Sequence, residues 1–361
     1  MPVNTLYHLF ALKKSGSPLF DKAEMLLMLP ALLRYFFTGE RDNEWTATAP
    51  TQLCNPYTHA WDRELIQCLG LPGRIFYDPI APGKSVGQVL PDICEETGIA
   101  PLPVLTVAEH DTASAVVAVP TEHTSFAYLS SGTWSLLGTE LSEPLLSEQV
   151  LAWDFSNESG AGGTTQLLKS MSGLWFIQQC HRVWNNEGKG ISYADEHRLI
   201  EQAMPFRSFI NPDDPMFIHP PHMPRQIQHY CRVTKQPVPE TIGELLRCII
   251  ESQAMSYRRV FERLERLLQK RFTGLYLVGG GVQHVTFCQS IANALARPVW
   301  AGPREAAALG NILTQYIALG YLKSVYHARY VMHRSFPITP YEPNETNAWS
   351  KAYETFCQVV M

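Results

Sequence analysis

Apolar residues recur at helical spacing along one long stretch of the chain, from about Thr241 to Lys270. At its start, Thr241 and Glu244 have the spacing of a capping box, in which each side chain accepts a hydrogen bond from a backbone amide near the helix start. The spacing predicts an amphipathic helix whose apolar stripe packs into the core. The stripe consists of Leu245, Leu246, Ile249, Ile250, Met255, Val260, Phe261, Leu264, Leu267 and Leu268.

Three other stretches carry a clear pattern. A second helix is predicted from Glu305 to about Leu319, where small residues permit close approach of a neighbouring element. The apolar stretch from Met25 to Leu33 predicts a core helix, since it is much shorter than the ~20 residues needed to cross a bilayer. Residues 211–231 are rich in proline and lack periodicity, which predicts an irregular surface loop.

Strand-like and helix-like runs alternate over much of the chain, which is typical of an α/β fold. At one junction, an apolar run predicted to be a buried strand ends in Glu109, His110 and Asp111, and small residues that favour a helix follow. In one interpretation Asp111 or Thr112 only caps this helix. In the other, Asp111 lies in a ligand crevice at the strand end, where its carboxylate can accept a proton. The junction by itself leaves both interpretations open.

Two glycine-containing turns are further candidates for chemistry. Residues 126–138 place a Ser-Ser-Gly-Thr turn between two apolar strands, which predicts a hairpin in which Gly132 supplies an unusual backbone angle. The hydroxyls and amides of such a turn can also hold phosphate oxygens. Residues 274–284 consist of an apolar strand, three successive glycines and the start of a helix. Glycines there allow a ligand to approach the backbone closely, and a helix start favours anions.

Three common enzyme motifs are excluded by single residues. In the frame of the three glycines, the last glycine of a dinucleotide-binding G-x-G-x-x-G motif falls on His284. Residues 83–85 resemble the end of a Walker A loop, but Asp78 occupies the position of its first glycine. No G-x-S-x-G sequence is present, so a hydrolase triad has no nucleophile elbow.

Composition favours a folded protein without nucleic acid or membrane partners. The 361 residues are 45% hydrophobic and 17% charged, which is the balance of a core-forming chain. The formal net charge is -5, and no block of like charges forms a patch for nucleic acid or anionic lipid. The first apolar residues precede the lysines, which reverses the order of a secretory signal, so we expect a cytoplasmic protein.

The cysteines and histidines show no standard metal or redox motif. The eight cysteines are scattered without a C-x-x-C pair, so we expect reduced, mostly buried thiols, although spacing leaves a bridge between Cys231 and Cys248 open. His219, His222 and His229 lie near Cys231, but their spacing fits no common zinc pattern. We therefore expect solvated histidines there and assign no metal ligand.

The motifs taken together resemble the FGGY family of carbohydrate kinases, in particular its members that phosphorylate L-rhamnulose. The likeness extends from about Pro2 to beyond Gln315, with many motifs in the family's order. They are PVNTLYHLFAL, TGERDNEWT, APTQL, AEHDTASAV, YLSSGTWSL, LLKSMSGLWFIQQC, NPDD, VGGGVQH and AGPREAAALGN.

The resemblance implies an actin-like ATPase fold with two α/β domains, which we place at residues 1–119 and 120–361. It also implies transfer of the γ-phosphoryl group of ATP, with Mg²⁺, to the 1-hydroxyl of L-rhamnulose. In the family pattern Asp111 accepts the proton of that hydroxyl. The residues implied in sugar binding are His110, Asp111, Thr112 and Ser170. Those implied in ATP binding are Thr133, Gln178, Gly279, Gly280 and Gly281.

The chain departs from the family pattern at several points. Ser170 stands where the family has an asparagine whose amide contacts the sugar, and Ala31, Ala307 and His284 replace other family residues. Family members also carry a further N-terminal segment with a phosphate-binding hairpin. From this difference we expect an incomplete first domain, with unpartnered apolar faces and impaired activity. The alternatives are a kinase for another ketose, a non-catalytic nucleotide- or sugar-binding remnant, and an interaction module.

Overall fold

The computed structural model of the chain describes residues 4–360, with only the backbone of Tyr193. These residues form two compact units that are interleaved along the sequence. Unit 1 contains the chain up to Glu122, residues 140–168 and residues 305–335. Unit 2 contains residues 123–139, residues 169–304 and the chain from Phe336 onward. The division at residue 119 stays a prediction.

Helices and strands alternate irregularly along the chain. The helices are α1 (Thr5–Lys14), α2 (Leu19–Lys22), α3 (Leu29–Thr38), α4 (Trp45–Thr48), α5 (Arg63–Cys68), α6 (Pro91–Thr97), α7 (Asp111–Val117), α8 (Glu148–Ala152), α9 (Trp175–Asn186), α10 (Tyr193–Gln202), α11 (Met223–Val233), α12 (Ile242–Leu268), α13 (Val285–Leu295), α14 (Ala306–Ala318), α15 (Val325–Ser335) and α16 (Thr346–Val359). The strands are β1 (Ser85–Gln88), β2 (Pro103–Leu105), β3 (Ala127–Ser131), β4 (Trp134–Leu141), β5 (Ser156–Ser159), β6 (Thr165–Ser172), β7 (Leu275–Val278), β8 (Val299–Ala301) and β9 (Thr339–Tyr341).

The core of unit 2 is a mixed sheet. Its strands have the order β6-β4-β3-β7-β8-β9, in which β3, β7 and β8 are parallel, β4 runs antiparallel to β3 and β9 runs antiparallel to β8. Leu129 of β3 pairs with Leu277 of β7, which pairs with Ala301 of β8. Leu129 and Leu277 have no exposed surface, as expected for parallel strands covered on both faces.

Unit 1 is organised around the packing of α7 against α14. Gly310 of α14 makes this contact possible, because a Cβ atom there would overlap the carbonyl oxygen of Ser114. Arg329 of α15 donates hydrogen bonds from Nε and an Nη atom to the carbonyl oxygen of Val116, at 3.2 and 3.0 Å. These contacts satisfy and hold the C-terminal end of a helix of only two turns. Two small antiparallel pairs, β1 with β2 and β5 with the first half of β6, belong to the same unit.

The strongest local patterns predicted their elements correctly. Helix α12 spans Ile242–Leu268, and both hydrogen bonds of the predicted capping box are present. Helix α14 spans Ala306–Ala318, within one residue of the prediction at each end. The predicted hairpin is β3 paired with β4, and the three glycines follow β7 and precede α13.

Two predicted elements are wrong. The proposed loop at residues 211–231 contains a short 3₁₀ helix and most of α11. Pro224 lies in the first turn of α11, where a fixed φ is favourable and no amide donor is needed. The side chain of His222 caps that turn. The predicted core helix begins only at Leu29, the last residues of its apolar stretch are partly outward-facing, and the side chains of Leu29 and Leu33 are 69% and 53% exposed.

Two finer predictions about backbone also fail. The strand before Asp111 is β2, which is only three residues long. It is not buried as predicted, since its residues are exposed or half-buried. Gly132 does not adopt a left-handed φ, so the hairpin turn does not need glycine for that reason. All eight cysteines are free, as predicted, and Cys231 and Cys248 are not bridged. The expectation of mostly buried thiols is not confirmed, since only four of the eight are buried. Within residues 4–360, we find no helix that combines the length and apolar character needed to cross a bilayer.

Candidate active site

Asp111 of unit 1 presents its carboxylate to solvent. It is the first residue of α7, and its side chain is 85% exposed. Its Oδ1 atom accepts a hydrogen bond of 2.7 Å from the amide of Thr112. The helix cap predicted at Asp111 or Thr112 lies instead at His110, whose side chain makes no capping hydrogen bond. Because the carboxylate is not used up in capping a long helix or packing a core, it remains accessible to a ligand.

The backbone that leads to Asp111 is held by buried polar side chains. The amide of Glu109 donates to Oε2 of Glu44 at 3.0 Å, and the amide of His110 donates to Oγ1 of Thr46 at 3.2 Å. On the other side, Oγ of Ser114 donates to the carbonyl oxygen of Ala108 at 2.8 Å. An irregular segment that is hydrogen-bonded in this way has little freedom, so it fixes the direction in which Asp111 leaves the chain.

Glu44 and Glu109 are carboxylates that belong to this support and not to the exposed site. Glu44 has no exposed surface, and burial raises its pKa to about 8, although hydrogen bonds from Thr46 and Ala47 act in the opposite direction. The Glu109 side chain is 5% exposed and forms an ion pair with Arg34. Of the two acids that follow the apolar run, Glu109 is therefore paired inside unit 1 and Asp111 faces outward.

The imidazole of His110 lies between two carboxylates. Its Nε2 atom is 3.6 Å from Oδ1 of Asp111, and its Nδ1 atom is 3.4 Å from Oε2 of Glu158. The side chain of Glu158 is 9% exposed. Thr112 is buried, with its hydroxyl 3.5 Å from Oδ1 of Asp111. The structure therefore brings His110, Asp111 and Thr112 together, and their roles in sugar binding stay predictions.

Sequence reasoning identified neither Glu44, which supports the segment before Asp111, nor Glu158, which faces His110. Glu44 lies inside the motif TGERDNEWT, so the resemblance to the family contains a signal for it. Glu158 follows Ser156 and Asn157 in a short strand, with no pattern that marks it. Only the tertiary structure places it beside His110.

In unit 2, three glycine-containing turns meet at one edge of the sheet. The parallel strands β3, β7 and β8 end at Ser131, Val278 and Ala301. Each is followed by at least one glycine: Gly132, Gly279 to Gly281 and Gly302. Ligand crevices in α/β sheets form at the carboxyl ends of parallel strands. The predicted nucleotide turns therefore lie at the edge where a ligand is expected.

The three successive glycines differ in their surroundings. Gly279 has φ +90°, and a Cβ atom there would lie 2.8 Å from the carbonyl oxygen of Ser131. A Cβ atom on Gly281 would lie 2.5 Å from Oγ of the same serine. Gly280 is exposed, and the nearest atom to a Cβ built on it is 4.0 Å away. Two of the glycines therefore allow tight packing on β3, and the middle one is open.

Thr133 and Gln178 lie together at the same turn. Oγ1 of Thr133 donates to Oε1 of Gln178 at 3.2 Å, and both residues are exposed. The segment between β6 and α9 holds this turn, since the amide of Leu174 donates to the carbonyl oxygen of Gly132 at 2.8 Å. Ser170 lies on β6 and is half-buried. The contact of Thr133 with Gln178 joins two of the predicted nucleotide residues.

His284, a departure from the family pattern, has a structural role next to the glycines. Its Nδ1 atom accepts from the amide of Phe287 at 3.2 Å and caps α13, and its Nε2 atom donates to Oε2 of Glu196 at 3.0 Å. The other oxygen of Glu196 contacts His181. Burial acts to raise the pKa of Glu196, but the hydrogen bonds from the two histidines outweigh it and the pKa lies below its usual range. Glu196 therefore links α9, α10 and α13.

Several solved structures are similar to this chain over almost its whole length. A gluconate kinase from Lactobacillus acidophilus matches with a TM-score of 0.76 and 16% identity, covering 99% of this chain and 72% of that one. A xylulose kinase from Rhodospirillum rubrum matches with a TM-score of 0.73 and 14% identity, with the same coverage. At such low identity the likeness speaks for the fold alone. The predicted α/β actin-like carbohydrate kinase fold is confirmed.

Curated relatives are much more similar in sequence. The rhamnulokinase of Bacteroides thetaiotaomicron is 39% identical over 356 residues, which cover 99% of this chain and 73% of the relative. The rhamnulokinase of Pectobacterium atrosepticum is 40% identical over 359 residues, which cover 99% and 70% respectively.

Two family models match adjoining parts of the chain. The N-terminal domain of the FGGY family of carbohydrate kinases matches residues 1–118, and the C-terminal domain matches residues 127–319. Because both domains are matched, the expectation of a missing N-terminal part with impaired activity is not supported. With both domain models and the curated relatives in agreement, the chain belongs to the FGGY family of carbohydrate kinases.

Proposed function

We propose that this chain transfers the γ-phosphoryl group of ATP to the 1-hydroxyl of L-rhamnulose, giving L-rhamnulose 1-phosphate and ADP. The observation that carries the proposal is the carboxylate of Asp111, which is 85% exposed on a segment held by buried hydrogen bonds. Identities of 39% and 40% to two rhamnulokinases support this sugar. The reaction consumes ATP, and we place it in the cytoplasm.

In this mechanism Asp111 acts as the general base. One oxygen of its carboxylate accepts the proton of the sugar hydroxyl, whose oxygen forms a bond to the γ-phosphorus. The bond from that phosphorus to the oxygen bridging to the β-phosphate breaks, and ADP leaves with the electron pair. A positioned base contributes typically ~10²- to 10⁴-fold to the rate.

Residues of the two units divide the binding roles. His110 and Thr112 adjoin Asp111 in unit 1 and would contact the sugar, a role that the family pattern also implies for Ser170. Thr133 and Gln178, which share a hydrogen bond, and the glycines from Gly279 to Gly281 would hold ATP. Exposed hydroxyls and glycine amides at strand ends are suited to phosphate oxygens, since they donate hydrogen bonds without steric hindrance.

Magnesium is part of the proposal, and the carboxylates present are compatible with it. Within residues 4–360, no group of three or more histidine, cysteine or acidic side chains is arranged to hold a metal. Mg²⁺ in phosphoryl-transfer sites is held by one or two carboxylates together with water and substrate phosphates, so a dedicated cluster is not needed. When bound, the ion neutralises phosphate charge. Asp111 is the exposed carboxylate of this segment and could reach such an ion.

Ser170 favours a second candidate, a kinase for another ketose. Its short hydroxyl lacks the amide that the family pattern places at this position. A lost hydrogen bond to one sugar hydroxyl changes specificity more than it changes the chemistry. Comparing kcat/KM for L-rhamnulose with that for L-fuculose, D-xylulose and D-ribulose distinguishes the two candidates.

The test is ADP release from purified protein with L-rhamnulose, ATP and Mg²⁺. We expect sugar-dependent turnover that Asp111→Asn lowers by at least about 10²-fold while sugar and ATP binding persist. Asp92→Asn is the matched control, since Asp92 is also exposed in the first turn of a short helix. Near-normal turnover of Asp111→Asn contradicts the assigned base. Absence of turnover with every ketose, but with ATP bound, supports a non-catalytic binding protein instead.

A further inference from the structure

Glu158 has a buried carboxylate oxygen that is aimed at His110. Its Oε1 atom accepts from Oγ of Ser156 at 3.0 Å, which fixes the carboxylate on β5. Its Oε2 atom is buried and has no hydrogen-bond partner within the described part of the chain. Nδ1 of His110 lies 3.4 Å from that oxygen.

We propose that Glu158 is a positioning residue for sugar recognition, which holds the imidazole of His110 so that its Nε2 atom faces the substrate beside Asp111. This inference rests on the proposed function, because it assigns His110 to the sugar. Neither the motifs of the sequence nor the family pattern assigned any role to Glu158. Its effect on the reaction is transmitted through His110, since it does not itself contact the reacting atoms.

The chemistry of the buried carboxylate favours one orientation of the ring. A buried anion without compensation is strongly unfavourable, so Oε2 of Glu158 requires a proton donor on the atom that faces it. Nδ1 of His110 is that donor when it carries the ring proton, and which ring nitrogen is protonated is set by the partner of the other. With Nδ1 engaged by Glu158, the Nε2 atom points to the opposite side of the ring.

The opposite side of the ring is where Asp111 lies. The distance of 3.6 Å between Nε2 of His110 and Oδ1 of Asp111 is too long for a direct hydrogen bond. With the ring proton on Nδ1, the Nε2 atom is an acceptor. A sugar hydroxyl next to the one that donates to Asp111 could donate to Nε2, so two neighbouring substrate hydroxyls would contact the two side chains. A ring free to turn would lose this arrangement and would move Nδ1 away from Oε2 of Glu158.

The test is steady-state kinetics of Glu158→Gln, which keeps the shape of the side chain and removes its charge. Because the charged group that faces Nδ1 of His110 is removed, we expect kcat/KM for the sugar to fall by roughly tenfold to a hundredfold. The KM for ATP should stay within about twofold of the wild-type value, because the glycine-containing turns are untouched. Glu148→Gln is the matched control, an exposed glutamate of the same unit, and should behave as the wild type.

A double-mutant cycle with His110→Asn separates positioning from a general structural effect. If Glu158 acts through His110, Glu158→Gln should change kcat/KM by less than about twofold once His110 is already asparagine. An equal loss in both backgrounds, or unchanged sugar kinetics of Glu158→Gln, overturns the proposal. If Glu158→Gln lacks a cooperative unfolding transition, Glu158→Asp replaces it in the same cycle with the same expected non-additivity and the same overturning outcomes.

Turnover of the wild-type protein distinguishes a wrong role for Glu158 from a wrong proposed function. Wild-type turnover that Asp111→Asn abolishes, combined with normal kinetics of Glu158→Gln, overturns only the role of Glu158. Absence of sugar-dependent turnover in the wild type overturns the proposed function and this inference with it.

Discussion

The backbone of Gly279 lies so close to Ser131 that a Cβ atom on the glycine would stand 2.8 Å from the serine carbonyl oxygen. The contact joins the end of β7 to the end of β3, two parallel strands paired through Ser130 and Val278. The turns that follow β3 and β7, which we assign to ATP binding, therefore pack directly against each other. Their geometry depends on the absence of a side chain at this position.

We expect Gly279→Ala to destabilise the fold and to weaken ATP binding. The change forces a side chain into a backbone conformation at φ +90° and against the carbonyl of Ser131, and strained positions of this kind cost about 1–3 kcal/mol. Thermal unfolding with and without ATP measures both effects. Gly280→Ala is the matched control, since its Cβ would have 4.0 Å of clearance and no left-handed φ. Equal behaviour of the two variants would contradict the packing argument.

We expect Gly310→Ala to lower stability, although alanine is ordinarily the better helix former by about 0.8–1.0 kcal/mol. A Cβ atom at position 310 would overlap the carbonyl oxygen of Ser114, so α14 would have to move away from α7. Chemical denaturation should show a loss of about 1–3 kcal/mol, typical of overpacking. Asn311→Ala, at the next and less buried position of α14, should change stability far less. A stabilised Gly310→Ala variant would show that α7 and α14 are not in this close contact.

We expect both His284→Asn and His284→Ala to lower the stability of the protein, and alanine to lower it more. Asparagine can still cap α13, but it cannot reach Glu196, and a buried oxygen left unsatisfied costs about 1–3 kcal/mol. Alanine removes the cap as well, at a further cost of about 0.5–2 kcal/mol. The free energy of unfolding should therefore fall from wild type to His284→Asn to His284→Ala. If His284→Asn is as stable as the wild type, the hydrogen bond to Glu196 contributes nothing.

Glu44 should give the stability a specific pH dependence. Its pKa is about 8 in the folded chain, above the usual 4.5, so the folded state holds the proton more tightly than the unfolded state does. The stability from this proton is complete below about pH 4.5 and is lost as pH rises through about 8.

The variant Glu44→Gln tests this dependence, because glutamine stays neutral throughout. We expect it to be less stable at pH 5 by about 1–3 kcal/mol, since an amide nitrogen replaces an oxygen that accepts from the backbone. Its deficit relative to wild type should shrink between pH 5 and pH 9, as measured by denaturant titration. The exposed Glu24→Gln variant is the control. A deficit that is constant with pH would mean that Glu44 is already charged at pH 5.

Local sequence patterns were sufficient for elements whose determinants lie within a few residues. The apolar period and the capping box specify α12, and the three glycines after an apolar strand specify the turn before α13. The pattern gives a wrong prediction at α11, because proline disfavours the interior of a helix but fits its first turn. It is also wrong for β2, because the exposure of a short apolar strand depends on which other elements cover it.

The sequence by itself determined the fold class, the family and the identity of the acid at the start of α7. Motifs such as AEHDTASAV and VGGGVQH are contiguous, so their residues can be recognised without knowing what surrounds them. The tertiary structure alone decided which partners those residues have. Glu158 and Glu44 lie 48 and 66 residues from His110 in the numbering, and they reach its side chain and its neighbouring amide only because the chain folds back. Contacts between residues so distant are set by packing, which no local pattern records.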